Sequence, residues 1–426
     1  MKIVLIGAGS FVFAPTVLRD AIVGHRLDDC VMVLVDLDAD LAAAMAGVGR
    51  RMAHDVGVST SLRATTDRKE ALPGADFVIH SAAVQGRRRW WMDYEILKEE
   101  GIPEQARECG GMGGLSYALR SVTLAMEIAR DMEDLCPGAP MLVVANPLPR
   151  VLSAVNGYSA IRALGFCNAA WHSPHGYRWL ADLVDRDPSE VEVTTGGLNH
   201  FAWVVELSDA CTGENLLPRL EEAVRKGEGR QFETLRRWLD EYGAVGASGP
   251  HHMGDFLPLE PDDARRPHPP FHGDEDERRG QYEKLTKIAR GAVDWREALL
   301  HSSWEHPVDV AAALSRGEDR RFDMINMPND GYLADLPDGR IVEVPARTRG
   351  GELRGVEVGE LPGRVGELCR TVSDVHQMVA RAAVRGDRGL LEAAIDRDPA
   401  VTDRDAALRA LDRMLEAHAD ILPQFS

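Results

Sequence analysis

Lys2-Ile3-Val4-Leu5-Ile6, followed at once by Gly7-Ala8-Gly9-Ser10-Phe11, is the stretch that decides the fold. An apolar run this short, stopped by glycine, reads as a buried parallel strand. The glycines permit a tight turn and let a pyrophosphate approach the backbone at the start of a helix expected over residues 16–23. Val31-Met32-Val33-Leu34-Val35 forms a second such strand and ends in Asp36. A carboxylate at that strand tip can accept hydrogen bonds from a ribose diol, which favours NAD over NADP. Val12 stands where the usual fingerprint has its third glycine. A Gly-x-Gly turn alone is also compatible with an ordinary strand-to-helix turn and an empty site; the acidic strand tip and the N-terminal position favour the dinucleotide. Gly7, Gly9, Ser10, Phe11 and Asp36 are the candidate contacts.

Strand and helix signals keep alternating to about residue 150. Phe77-Val78-Ile79 and Met141-Leu142-Val143-Val144 read as buried strands, and residues 115–135 as an amphipathic helix behind the turn Gly110-Gly111-Met112-Gly113-Gly114. This alternation predicts an α/β fold with a doubly wound parallel sheet of Rossmann type. Ligands bind such sheets beyond the strand carboxyl ends, where Asn146 would meet a substrate or the nicotinamide. Beyond about residue 200 the pattern becomes mixed α+β. The expected domains are a NAD-binding unit over 1–195 and a substrate and metal unit over 196–426. Residues 258–280, rich in Pro, Asp, Arg and His, read as a mobile loop or lid. A strand-like stretch is expected to close at Glu343-Val344-Pro345, and residues 372–384 and 406–417 to be helical.

Composition narrows the functional classes. The 426 residues suffice for two or three domains with sizeable cores. A net charge of −19 argues against nucleic acid and anionic membranes as partners. No apolar run approaches the roughly 20 residues that span a bilayer, and Met1-Lys2-Ile3 already starts a strand rather than a signal peptide. The six cysteines, at 30, 109, 136, 167, 211 and 369, form no disulfide framework. A reducing cytoplasm is expected, where a thiol can serve as a metal ligand. Cys167 in Gly165-Phe166-Cys167, and His200 in Gly197-Leu198-Asn199-His200, pair a thiolate with an imidazole downstream of the nicotinamide site. That pairing suggests a metal beside a hydride carrier.

Gly7-x-Gly9-Ser10, the Gly-Gly-x-Gly-Gly turn, Asn146-Pro147, Gly165-x-Cys167, Gly197-x-Asn199-His200 and Ile325-Asn326-Met327-Pro328-Asn329-x-Gly331 occur in order. With the segment from Leu336-Pro337 to Glu343-Val344-Pro345, they cover most of the chain. Together they resemble family 4 glycoside hydrolases, NAD- and metal-dependent glycosidases related in fold to lactate and malate dehydrogenases. Tyr242-Gly243-Ala244-Val245, His252 and Asp255-Phe256-Leu257-Pro258 resemble the α-galacturonidase and α-galactosidase branches most.

The resemblance implies a glycosidase in which NAD oxidises the sugar 3-hydroxyl, a base removes the acidified C2 proton and the aglycone is eliminated. Water addition and re-reduction follow, with no net redox. It assigns Cys167 and His200 to a divalent metal, most compatible with Mn²⁺ because two protein ligands leave positions for sugar oxygens. The base is His252 or Asp255, with Tyr242 behind them; an unperturbed imidazole, near pKa 6.5, suits proton abstraction. Asp255 could instead orient His252 or complete the metal shell. Glu108 is a substrate contact or acid, and Asn146, Asn199 and His251 are substrate contacts. The galacturonidase branch has arginine where His251 stands, and a guanidinium holds a carboxylate best, so a uronate is disfavoured. Asn168 replaces an aspartate of the phospho-α-glucosidase branch, which disfavours a sugar 6-phosphate. Trp171, His172 and His175 lie in an apparent insertion that could reshape the pocket, and Arg87-Arg88-Arg89, beside Trp90-Trp91, could grip an anionic group but reads rather as a solvated rim. The partner is a small glycoside, and a homodimer or homotetramer is expected. A NAD-dependent sugar or hydroxy-acid dehydrogenase or epimerase without bond cleavage is the alternative. A non-catalytic NAD sensor would have no reason to keep Cys167 and His200 together.

Overall fold

The computed structural model describes residues 1–167, 177–258, 275–299 and 305–425. The first half of the chain forms strands β1 (Lys2–Ile6), β2 (Val31–Val35), β3 (Ser61–Thr65), β4 (Phe77–His80), β5 (Met141–Val143) and β6 (Ala163–Gly165), all parallel and ordered β3-β2-β1-β4-β5-β6. The order reverses between β1 and β4, which opens a crevice at the strand carboxyl ends. Four further strands continue the same sheet in antiparallel fashion: β7 (Val191–Leu198), β8 (Phe201–Asp209), β9 (Arg320–Pro328) and β10 (Ile341–Arg349), ordered β9-β10-β7-β8 beyond β6. The short β11 (Glu352–Gly355) pairs with β10. Fold class is as expected: a Rossmann-type parallel half joined to a mixed second half.

The boundary expected near residue 195 falls inside β7. The sheet crosses it, and so do both hydrophobic cores. One core joins Ile3 and Leu5 to Leu198, Trp203 and Val344; the other joins Val4 and Leu119 to Ile341, Val379 and Leu411. The helices Val365–Arg385, Arg388–Arg397 and Arg404–Ala417 thus close over the N-terminal half.

Several local expectations are corrected. The helix expected from 115 starts at Gly111, inside the glycine pentad. Backbone contact explains this: a Cβ on Gly113 or Gly114 would collide with the backbone of Arg107 or Cys109, so only glycine lets the first turn settle there. β10 does not close at Pro345 but runs to Arg349, its register shifting between Val344 and Ala346 where proline offers no N–H. The expected loop over 258–280 is too long at its far end. Residues 275–280 are the first turns of the helix Glu275–Ala289, and residues 259–274 lie outside the described part. No helix among the described residues is long and apolar enough to cross a membrane.

Candidate active site

Parallel pairing puts the residues after β1, β2, β5 and β6 on one edge of the sheet: Gly7–Phe11 by number, then Asp36, Asn146 and Cys167. Gly7 has φ +94°, and a Cβ there would lie 2.7 Å from the Ala82 nitrogen, so the turn admits no side chain. The Gly9 N–H donates to Asp36 Oδ2 at 2.7 Å, which ties the turn to the tip of β2. Ser10 Oγ accepts from the Phe13 N–H at 3.1 Å and opens the helix Phe13–Arg19. Phe11 is half-buried, with the Arg278 guanidinium 5.4 Å from its ring centroid.

The second half of the site rests on one transverse row of the sheet. Gly165 of β6 faces Asn326 of β9, Asn326 faces Glu343 of β10, and Glu343 faces Gly197 of β7. Cys167 follows this row at one end and His200 at the other. Glu343 is 2 % exposed, and its Oε2 accepts from both Asn326 Nδ2 (2.8 Å) and Asn199 Nδ2 (3.0 Å). Burial pushes the Glu343 carboxyl above its ordinary range, against the pull of those two amides. The Asn199 amide nitrogen is therefore engaged inside the sheet. His200 occupies the turn between β7 and β8 at φ +60°, a conformation side chains rarely adopt.

Around His200 the donors converge. Ligand atoms of Glu108, Cys109 and His200 lie within 4.8 Å of one another. The Cys109 and Cys167 side chains both hydrogen-bond His200. Burial opposes protonation of this imidazole, yet the two sulfurs beside it raise its pKa well above the ordinary value. Burial likewise pushes the Cys109 thiol up to about 12. The His252 ring sits 4.7 Å from that of His200, on the short helix Pro250–Met253. Asp255, 3 % exposed, accepts the Cys109 N–H on Oδ2 at 3.1 Å. Buried Arg107 donates through one nitrogen to the carbonyls of Gly254, Asp255 and Leu257 at 2.9, 3.1 and 2.9 Å. Gly110 completes this seam, since a Cβ there would collide with the Asp255 carbonyl oxygen. Asn146 joins the two halves of the site by donating to Glu108 Oε1 at 2.8 Å.

Of the residues singled out in the sequence, the structure thus gathers Glu108, His200, His252, Asp255, Asn146 and Cys167. Tyr242 stands elsewhere: it hydrogen-bonds Glu241, packs edge-on against Trp203, and makes no contact with that cluster among the described residues. His251 shares the helix with His252, but its side chain lies outside the described part, as do Asn168, Trp171, His172 and His175. Sequence reasoning missed Cys109, Arg107 and the role of Glu343. A cysteine wedged between an acid and a glycine turn, and a lone acid in the apolar run Ile341-Val342-Glu343-Val344, were the available signals.

A divalent cation fits this donor set. The His200 ring is buried beside two sulfurs and a carboxylate, and its Nδ1 has no hydrogen-bond partner among the described residues.

A dinucleotide-type sheet whose edge leads into a thiol–imidazole–carboxylate cluster defines a class of cofactor-assisted enzyme. Sequence comparison gives the family. Residues 2–176 match the model of family 4 glycosyl hydrolases and residues 195–401 the model of their C-terminal domain, so the chain belongs to that family of glycosidases. An α-galactosidase of Bacillus subtilis is 26 % identical, the match spanning 100 % of this chain and 99 % of the relative. An α-galacturonidase of the same organism is 28 % identical over 98 % of this chain and 97 % of its own. A 6-phospho-α-glucosidase from gut microorganisms, solved with NAD and Mn²⁺, superposes with a TM-score of 0.83 at 21 % identity, covering 99 % of both chains, and shares the fold.

Proposed function

We propose that this glycosidase uses NAD and a divalent metal such as Mn²⁺ to cleave an α-galactoside by oxidation at C3, elimination across C1 and C2, water addition and re-reduction. The convergence of Glu108, Cys109, Cys167 and His200 beside the carboxyl edge of the parallel strands carries this reading. The Gly7–Ser10 turn and Asp36 would hold NAD, and Cys167 and His200 the metal. Bound NAD supplies a reversible hydride acceptor, and a bound dication acidifies the sugar hydroxyls.

The chain's own groups divide the remaining work. His252 is half-buried and leans on the His200 ring, so it can take the C2 proton. Asp255 is committed to the Cys109 N–H and acts by positioning the Glu108–Cys109 turn. Asn146 aims the Glu108 carboxylate toward the sugar. A neutral galactoside is preferred to a uronide because histidine, not arginine, stands at position 251.

The test is nitrophenol release from aryl α- and β-glycosides, including galactosides, galacturonides and glucosides. It is run in reducing buffer with NAD and Mn²⁺ and with each withheld. Release from the α-galactoside that needs both is expected. Release indifferent to them would overturn the mechanism, and NADH formation on free sugars without release would make the chain a dehydrogenase.

A further inference from the structure

We infer that Cys109 is a second thiolate ligand of the metal, so that this centre carries two sulfurs and one imidazole. The inference rests on the metal site proposed above and changes its chemistry. Two observations carry it. The Cys109 sulfur lies within 4.8 Å of ligand atoms of both His200 and Glu108, closer company than a structural thiol needs. Its backbone is fixed independently of any metal, by the Asp255 carboxylate on its N–H and by the glycines at 110, 113 and 114 pressed against the neighbouring chain.

As the metal–sulfur bond forms, the Cys109 thiol releases its proton to solvent and no electron changes hands.

Two thiolates make the site softer than a single Cys–His pair, which favours Zn²⁺ and Co²⁺ over Mn²⁺ more strongly. The full-length reduced protein, stripped by chelation and loaded with one equivalent of Zn²⁺, is examined by X-ray absorption. Two sulfur neighbours at about 2.3 Å are expected. One sulfur would overturn the role of Cys109 while leaving the metal site standing, and none would overturn both. With Co²⁺, Cys109→Ser is expected to lower the near-ultraviolet sulfur-to-metal absorption to about half and the Zn²⁺:Mn²⁺ affinity ratio by about tenfold. An unchanged band and ratio in the variant would also overturn the inference. The parent measurement needs no substitution, so a variant that fails to fold does not blunt the test.

Discussion

Glu343 shows how a single residue can matter to a site it does not line. Its one oxygen takes N–H bonds from Asn326 and from Asn199, the residue before His200. With burial favouring the neutral carboxyl, Glu343→Gln keeps an acceptor oxygen in place and is expected to cost under about 1 kcal/mol. Glu343→Leu strands two buried amides and is expected to cost about 2–5 kcal/mol, with looser metal binding because the His200 turn loses its anchor. Denaturant unfolding and metal titration of the two variants check this; equal behaviour would show that Glu343 anchors nothing. At this scale the sequence was partly legible. Asp36, Cys167 and His200 each stand beside a turn that announces them. Cys109 also precedes a turn, but its neighbours in space, His200 and Asp255, are distant in sequence and no local pattern links them.

Among elements, the seam between residues 107–111 and the segment Gly249–Leu257 governs the site. Arg107 binds three carbonyls of that segment, and Gly110 leaves room for one of them. Gly110→Ala is expected to force the segments apart, to cost about 1–3 kcal/mol, and to reduce turnover sharply by displacing His252 from His200. Thermal unfolding together with kcat tests this: full activity in a folded variant would mean the seam tolerates the shift. Strands β1, β2, β4 and β5 were readable as short apolar runs, whereas the polar β3 (Ser61–Thr65) and the three-residue β6 (Ala163–Gly165) carry no such signal. The start of the helix at Gly111 and the passage of β10 through Pro345 were not readable either, since both depend on close approach by other chain segments rather than on local propensity.

For the molecule as a whole, the second half is an extension of the sheet and cores of the first. One tie across them is Asp309, which meets His25, His306 (3.3 Å) and Arg320 (2.9 Å), linking the N-terminal helix, the helix Pro307–Arg316 and β9. Burial would raise its carboxyl, but these partners hold it well below the usual carboxylate range. A depressed folded value gives stability that is complete above the unfolded value, near pH 4, and is lost as pH falls through the folded one. Asp309→Asn is therefore expected to cost about 1–3 kcal/mol at neutral pH. The gap to the parent should close progressively below about pH 4. Unfolding curves at neutral and acid pH read this directly, and a gap independent of pH would refute the linkage. The closing of the C-terminal helices over the N-terminal sheet could not be read from the sequence, because apolar faces reveal burial and not the surface they meet.

The transverse row Gly165–Asn326–Glu343–Gly197 also sets an order of events during synthesis. Cys167 and His200 leave the ribosome while the strands that fix their spacing are still untranslated, β10 being the last of these to emerge. An ion held by Cys167 and His200, as proposed, would find its two ligands at their final spacing only after β10 has joined the sheet.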